Sequence, residues 1–308
     1  MSPTRKPPKL PALPGEEAGH TRREFLRAAG TAAGMAALSS CSSIEELLGT
    51  HFQELSPEAL AARLREIEVV QSARFGKQVR VSAAPARERV LFGYGLDLSR
   101  CVGCRRCVHA CVRENNTSRG NPEVQWIKVL ELDKEYGVDL AHADAYYDAE
   151  AVPRPGHFYM PVSCQQCRKP ACVKVCPASA TWKEPDGIVV VDYDWCVGCR
   201  CCMSACPYGA RRFNWSEPEI PADEMNPDTH YLGNRPREKC VVEKCTFCIQ
   251  RVRQGRYPAC VEVCPMGARK FGNLLDPNSE IRRIMEMKRV FILKEEIATR
   301  PQFYYFYG

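Results

Sequence analysis

Hydrophobic and polar positions divide the chain into stretches of different texture. From Ala28 to Ile44 no charged residue occurs, and the run is built of small and apolar side chains. At 17 residues, with Gly, Ser and Thr interspersed, it is too short and too polar to make a good membrane span. Further on the apolar positions take a helical period. Leu60, Leu64, Ile67 and Gln71 fall on one face, with Val70 beside them. Ser56 stands at the N-cap, Pro57 at the first helical position and Glu58 in the first turn, and Gly76 can end the helix.

From Val90 short β-rich pieces take over. VLFGYGLDL, FYMPVS and GIVVVDYDW each precede a group of cysteines. WIKVLEL predicts another strand inside the polar, partly acidic stretch 112–157. Residues 214–239, rich in Pro and acids, read as a surface loop. After the last cysteine, GARKFGNL predicts a strand and SEIRRIMEMKR a helix capped by Ser279. The final residues, FYYFYG, fit two readings: a terminal strand packed on its own domain, or an aromatic strip for a partner subunit or a membrane interface.

Composition changes the picture at one residue type, with 19 cysteines among 308 residues. Sixteen of them form four quartets. The first is Cys101-x2-Cys104-x2-Cys107-x3-Cys111. The second is Cys164-x2-Cys167-x4-Cys172-x3-Cys176-Pro177. The third is Cys196-x2-Cys199-x2-Cys202-x3-Cys206-Pro207. The fourth is Cys245-x2-Cys248-x11-Cys260-x3-Cys264-Pro265. Cysteines at x2 intervals wrap a loop around one cubane cluster, each sulfur reaching a different iron. A cysteine after x3 sits about one helical turn further on and tends toward a neighbouring cluster. Structural zinc favours two well-separated pairs, so runs this dense argue against it. An odd cysteine count and three-residue spacings argue against a disulfide framework. Cys201 and Cys240 fall outside the register, and the default role for such a cysteine is a small buried hydrophobe.

Other chemistries lack their signatures. No C-x-x-C is followed by His, GYGLDL lacks the third glycine of a dinucleotide turn, and no phosphate-binding GxxxxGK[ST] occurs. The six histidines, His20, His51, His109, His142, His157 and His230, are scattered. The formal net charge is +6, of which residues 1–40 contribute six Lys/Arg against three Asp/Glu. Four clusters at about 2− each would bring the remainder to roughly −5. Arg105, Arg106, Arg168, Lys169, Lys174, Arg211, Arg212, Arg251 and Arg253 then read either as local compensation or as ordinary solvated side chains.

The N-terminal stretch TRREFLR followed by the small-residue run resembles a twin-arginine export signal, with Arg22 and Arg23 as the pair. Leu38-Ser39-Ser40-Cys41 is similar to a lipoprotein cleavage box, which would make Cys41 a lipidated N-terminus. The expected location is the periplasmic face of the inner membrane.

Over about residues 90–275 the sequence resembles the four-cluster ferredoxin-type subunits of the dimethyl-sulfoxide-reductase-like and polysulfide-reductase-like respiratory oxidoreductases. The quartet order, the x4 and the x11 carry the likeness, as does VVEKCTFCIQRVRQGRYPACVEVCPMGARKFG throughout its length. The resemblance implies an α+β fold of two interleaved bacterial-ferredoxin-like 2[4Fe–4S] units with long loop insertions. The inner unit would span about 158–213, and the outer 90–157 plus 240–275. Residues 1–41 would be the signal, 42–89 a linker with one amphipathic helix, and 276–308 a C-terminal helix and aromatic tail. It also implies four ligand sets. These are Cys164, Cys167, Cys172 and Cys206; Cys196, Cys199, Cys202 and Cys176; Cys101, Cys104, Cys107 and Cys264; and Cys245, Cys248, Cys260 and Cys111. All sixteen positions are Cys, so four [4Fe–4S] clusters are expected.

The resulting function is an electron relay with no substrate site of its own. Its expected partners are an integral membrane quinone-reactive subunit and a molybdopterin, multihaem or hydrogenase catalytic subunit. Two other classes remain. One is a cluster-bearing redox sensor or nucleic-acid-binding protein, opposed by the export signal and the lack of a nucleic-acid motif. The other is a stand-alone oxidoreductase, opposed by complete thiolate ligation.

Overall fold

The computed structural model describes residues 56–308. The arginine pair, the apolar run and Cys41 lie outside them. Helix α1, Pro57–Phe75, begins and ends where its caps dictate. Ser56 Oγ accepts the Ala59 N–H at 3.2 Å. Gly76, at φ 64°, closes the helix with its N–H on the Ser72 carbonyl. Its buried Ile67 and Phe75 pack with Val79, Val81, Met225 and Tyr231. Val70 is exposed rather than part of that face.

Strand β1, Arg80–Ser82, pairs in parallel with β8, Asp228–His230. The segment after Ser56 therefore rests on the stretch expected to be a surface loop, and most of residues 229–237 are buried. The polar side chains there satisfy backbone groups inside the molecule. Asn234 Nδ2 donates to the carbonyls of Glu114 and Asp228, and Arg237 Nη1 donates to that of Asn115. Composition marks such residues as loop-formers; only the fold shows that their partners lie inside.

The four quartets share one local plan: an entering strand, a cysteine loop, a helical turn and a leaving strand. The first runs from β2 (Phe92–Asp97) through α2 (Arg106–Glu114) to β3 (Lys128–Asp133). The second runs from β4 (His157–Val162) through α3 (Ala171–Lys174) to β5 (Thr181–Lys183). The third runs from β6 (Val189–Val191) through α4 (Cys201–Ser204) to β7 (Arg212–Phe213). The fourth runs from β9 (Val242–Glu243) through α5 (Ile249–Val252) and α6 (Ala259–Glu262) to β10 (Arg269–Asn273).

Strands this short cannot satisfy their backbone alone, and they pair around a ring. Antiparallel pairs join β3 to β4, β5 to β6, β7 to β9, and finally β10 back to β2. Each leaving strand thus meets the strand that enters the next quartet, and the last returns to the first.

Helix α7, Glu280–Met287, is capped by Ser279, and β11, Val290–Phe291, follows it. The aromatic tail forms β12, Phe303–Phe306, buried throughout and parallel to β2. Its Phe303 ring stacks on Tyr94 at 4.5 Å. Of the two readings of this segment, the terminal strand is the one observed. The main core joins Leu96, Trp126, Met160, Ile188, Phe247 and Tyr305 to Cys107, Cys111, Cys164, Cys245 and Cys260.

Candidate metal centres

Each quartet opens with a Cys-x-x-Cys turn, and the residue before its second cysteine always adopts a left-handed backbone. These residues are Gly103, Gln166, Gly198 and Phe247, at φ of 75°, 45°, 71° and 56°. A Cβ on Gly103 would lie 2.4 Å from the Tyr159 ring, and one on Gly198 would lie 2.2 Å from the Cys240 carbonyl oxygen. Gln166 and Phe247 take the same conformation at some cost in strain, on the order of 1 kcal/mol, offset by their contacts. Gln166 bonds the Cys245 carbonyl at 2.7 Å and the Val189 N–H at 2.8 Å. Phe247 packs on Tyr94 and Phe271. The turn aims backbone N–H groups at sulfur, as at Phe247 N to Cys245 Sγ, 3.4 Å. A second left-handed residue follows three of the quartets, at Ser179, Gly209 and Gly267, and turns the chain into the leaving strand.

The thiols fall into four neighbourhoods. Burial, and then the nearby Cys245, Cys248 and Cys260, hold the Cys111 thiol well above its usual range. Cys167 is pushed up to about 12 by burial, with Cys164, Cys172 and Cys206 adding to it. Burial raises Cys101 to about 11, and Cys107 and Cys264 contribute; Cys104 is a neighbour of Cys107. Cys202 rises to about 11 through burial, with Cys196, Cys172 and Cys176 adding to it, and Cys199 shares its loop.

Contacts run between the groups as well as within them. Cys107 senses Cys260, Cys245 senses Cys164, and Cys202 senses Cys172. Ordered by these contacts, the four ligand sets expected from the sequence run as a line. Cys101/104/107/264 comes first, Cys111/245/248/260 second, Cys164/167/172/206 third and Cys176/196/199/202 last. The second group is fully buried, whereas each of the other three has members that reach the surface, Cys199 being exposed.

No disulfide joins any of the eighteen described cysteines. Among the described residues no three His, Cys, Asp or Glu side chains close around a point that one metal ion could occupy. Four thiolates on a single zinc would stand about 4 Å apart; a cubane holds its thiolates further apart. Cys201 and Cys240 are both exposed, not buried hydrophobes. Cys201 opens α4 on the side away from Cys202, and Cys240 lies in a turn on the Asn214 carbonyl.

Side chains that no sequence motif singled out complete the sites. Arg269 Nη2 donates to Cys107 Sγ at 3.0 Å, and its Nη1 to Tyr94 Oη at 2.9 Å. Tyr94 Oη lies 3.3 Å from Cys260 Sγ. Asn115 Nδ2 stands 3.5 Å from Cys111 Sγ and 3.6 Å from Cys248 Sγ. Of the basic residues read as local compensation, Arg211 does reach sulfur, donating to Cys172 Sγ at 3.1 Å. Arg251 and Arg253 instead pair with carboxylates, Glu114 and Glu262 for the one, Glu184 and Asp186 for the other. A signal for Arg269 was present: Gly-Ala-Arg follows Cys-Pro-x in both the third and fourth quartets. Buried Nε and Nη1 of Arg211 have no protein acceptor. Thiols grouped in fours, N–H donors aimed at them, and buried cationic donors left over suit an anionic iron–sulfur cluster.

Comparisons with known proteins agree with this chemistry. A family model for a 4Fe-4S dicluster domain matches residues 156–238 and 232–274. The chain is similar to a sequence from Halobacterium salinarum that is named as the iron–sulfur subunit of a dimethyl sulfoxide reductase. They are 42% identical over 217 residues, 70% of this chain and 79% of that one. With a selenate reductase subunit of Mesobacillus selenatarsenatis the identity is 36% over 303 residues, 92% of this chain and 96% of the relative. The iron–sulfur cluster-binding subunit of a menaquinone reductase from Nitratidesulfovibrio vulgaris is 38% identical over 242 residues, 70% and 89% of the two chains.

Proposed function

Because the chain belongs to the iron–sulfur subunits of the dimethyl-sulfoxide-reductase-like respiratory oxidoreductases, we propose that its sixteen quartet cysteines ligate four [4Fe–4S] clusters in a line. The protein is an electron-transfer subunit, not a catalytic one. Bound clusters supply one-electron redox chemistry. The chain's own residues hold them apart, keep water from the second site, and direct N–H groups at sulfur.

The observation that supports this reading is the set of thiols near two of the x3 cysteines. Cys111 lies among Cys245, Cys248 and Cys260, and Cys206 neighbours Cys164 and Cys172. In this reading Cys101, Cys104, Cys107 and Cys264 hold the first cluster, and Cys111, Cys245, Cys248 and Cys260 the second. Cys164, Cys167, Cys172 and Cys206 hold the third, and Cys176, Cys196, Cys199 and Cys202 the last. The first and second make an outer ferredoxin-like unit, the third and last an inner one, interleaved in sequence.

Surface access at both ends of the line suits a relay between two partners. One is a quinone-reactive subunit in the membrane, in keeping with the menaquinone reductase relative. The other is a catalytic subunit carrying molybdopterin, multihaem or a hydrogenase centre. No helix among the described residues is long and apolar enough to cross a membrane. Attachment would come from a partner or from lipid at Cys41, after twin-arginine export to the periplasmic face. The redox-sensing or nucleic-acid-binding alternative is set aside, because the relatives are named as reductase subunits.

The test is iron analysis and EPR on anaerobically purified protein. About sixteen irons per chain are expected, with four centres that titrate and, when reduced, pass electrons to the reconstituted partner. Far fewer irons, or a persistent [3Fe–4S] signal, would count against it.

A further inference from the structure

The line of sites has three gaps, and a buried cation stands at each. Between the first and second sites is Arg269, on Cys107 Sγ at 3.0 Å and linked through Tyr94 to Cys260. Between the third and last is Arg211, on Cys172 Sγ at 3.1 Å, with Cys202 its next thiol neighbour. Between the second and third is Lys244, wholly buried. Its Nζ donates to the carbonyls of Cys245, at 2.9 Å, and Val189. The same Cys245 carbonyl accepts Nε2 of Gln166, which lies inside the Cys164-x2-Cys167 loop, so Lys244 sits where those two loops meet.

None of the three cations forms an ion pair with a carboxylate, although seventeen such pairs occur elsewhere among the described residues. A buried unpaired guanidinium or ammonium costs several kcal/mol. Arginine does not escape that cost by losing its proton. The anions within reach are the cysteine thiolates and what they bind, at about 2− per cluster.

Building on the proposed cluster ligation, we propose that Arg269, Lys244 and Arg211 are the counter-charges of the three gaps, each raising the reduction potentials of the two clusters it separates. Reduction adds one electron, and so one negative charge, to a site. A fixed cation nearby stabilises the reduced form more than the oxidised one. These are positioning residues for charge rather than catalytic ones, since they exchange no electron. Placed in the gaps, they also offset the repulsion between adjacent dianionic clusters.

The test is an EPR-monitored redox titration of the full, cluster-loaded chain and of its Arg269→Gln, Lys244→Gln and Arg211→Gln variants. Two of the four midpoints should fall in each variant. At a fixed potential near the midpoint, the reduced-to-oxidised ratio of those centres should drop about tenfold, about 59 mV for one electron. The pairs affected should overlap in order. Arg269→Gln and Lys244→Gln share one centre, Lys244→Gln and Arg211→Gln share one, and Arg269→Gln and Arg211→Gln share none. A Gln variant that holds four clusters with unchanged midpoints overturns the proposal, as does a uniform shift of all four. Where a Gln variant does not assemble, the Arg→Lys or Lys→Arg exchange at that position decides. Assembly with near-native midpoints supports the counter-charge role; loss of clusters there too overturns it. A wild-type chain with fewer than four titrating centres instead sinks the ligand reading, which separates the two failures.

Discussion

Cys201 and Cys202 are neighbours in sequence and opposites in structure. Cys202 is 8% exposed and lies among the thiols of the last site, whereas Cys201 faces solvent. The x2-x2-x3 register, ending in Cys-Pro, selects Cys202 without any structure, because it repeats the spacing of the first quartet while Cys201 breaks it. Solvent exposure of the spare cysteine was not legible, since a four-residue helix has no periodicity to read. Cys201→Ala should retain four clusters, while Cys202→Ala should lose or convert one. Iron content and the EPR of the reduced protein check both, and the reverse outcome would discard the register. Arg211, Lys244 and Arg269 show a harder limit at this scale. Lys244 carries no sequence signal, and the repeated Gly-Ala-Arg marks Arg211 and Arg269 without showing that they are buried.

At the scale of elements, strands and caps were largely readable. The β-rich runs before the first three quartets became β2, β4 and β6, and Ser56, Gly76 and Ser279 ended their helices as their side chains and backbone freedom require. What escaped was the polar stretch that carries β8. There His230 is buried, its Nε2 on the Ala84 carbonyl at 3.0 Å and its Nδ1 accepting the Leu232 N–H at 3.1 Å. That pairing needs the neutral ring, and burial pushes its pKa down to about 4. The unfolded ring takes up a proton near pH 6.5, which the folded one refuses until about pH 4. This contribution to stability is therefore complete above pH 6.5 and is lost as the pH falls toward 4. At pH 5.5 the loss is roughly 1 kcal/mol. Urea unfolding of the anaerobic protein at pH 7.5 and 5.5 should show that difference, and His230→Gln should shrink it. If the variant keeps the full difference, His230 is not its source.

For the whole molecule the organising feature is the ring of strand pairs, on which the proposed crossing of the x3 cysteines between quartets rests. Cys206 belongs to the third quartet in sequence, yet in space it neighbours Cys164 and Cys172 of the second. Cys206→Ser should therefore perturb the EPR signal that Cys172→Ser perturbs and leave intact the one altered by Cys196→Ser. Matching spectra for Cys206→Ser and Cys196→Ser would mean that each quartet serves its own cluster. The terminal strand belongs to this scale too. Phe303–Phe306 closes the sheet on β2, more than two hundred residues earlier in the chain, and FYYFYG alone could not say whether it packs inward or faces a partner.

The division between the two kinds of information follows from the range of the interactions. Spacing along the chain was enough for the sixteen thiols, their grouping into quartets, the helix caps and most of the strands, because each depends on separations of a few residues. Folding in three dimensions was needed for the burial of the 229–237 stretch, the exposure of Cys201 and Cys240, and the burial of Arg211, Lys244 and Arg269 beside the cysteine loops. Those depend on contacts between segments far apart in the chain. Arg269 meets Cys107 across 162 positions, and Gln166 meets Cys245 across 79. No local pattern encodes such meetings, since they are set by which short strands must pair to satisfy their backbones.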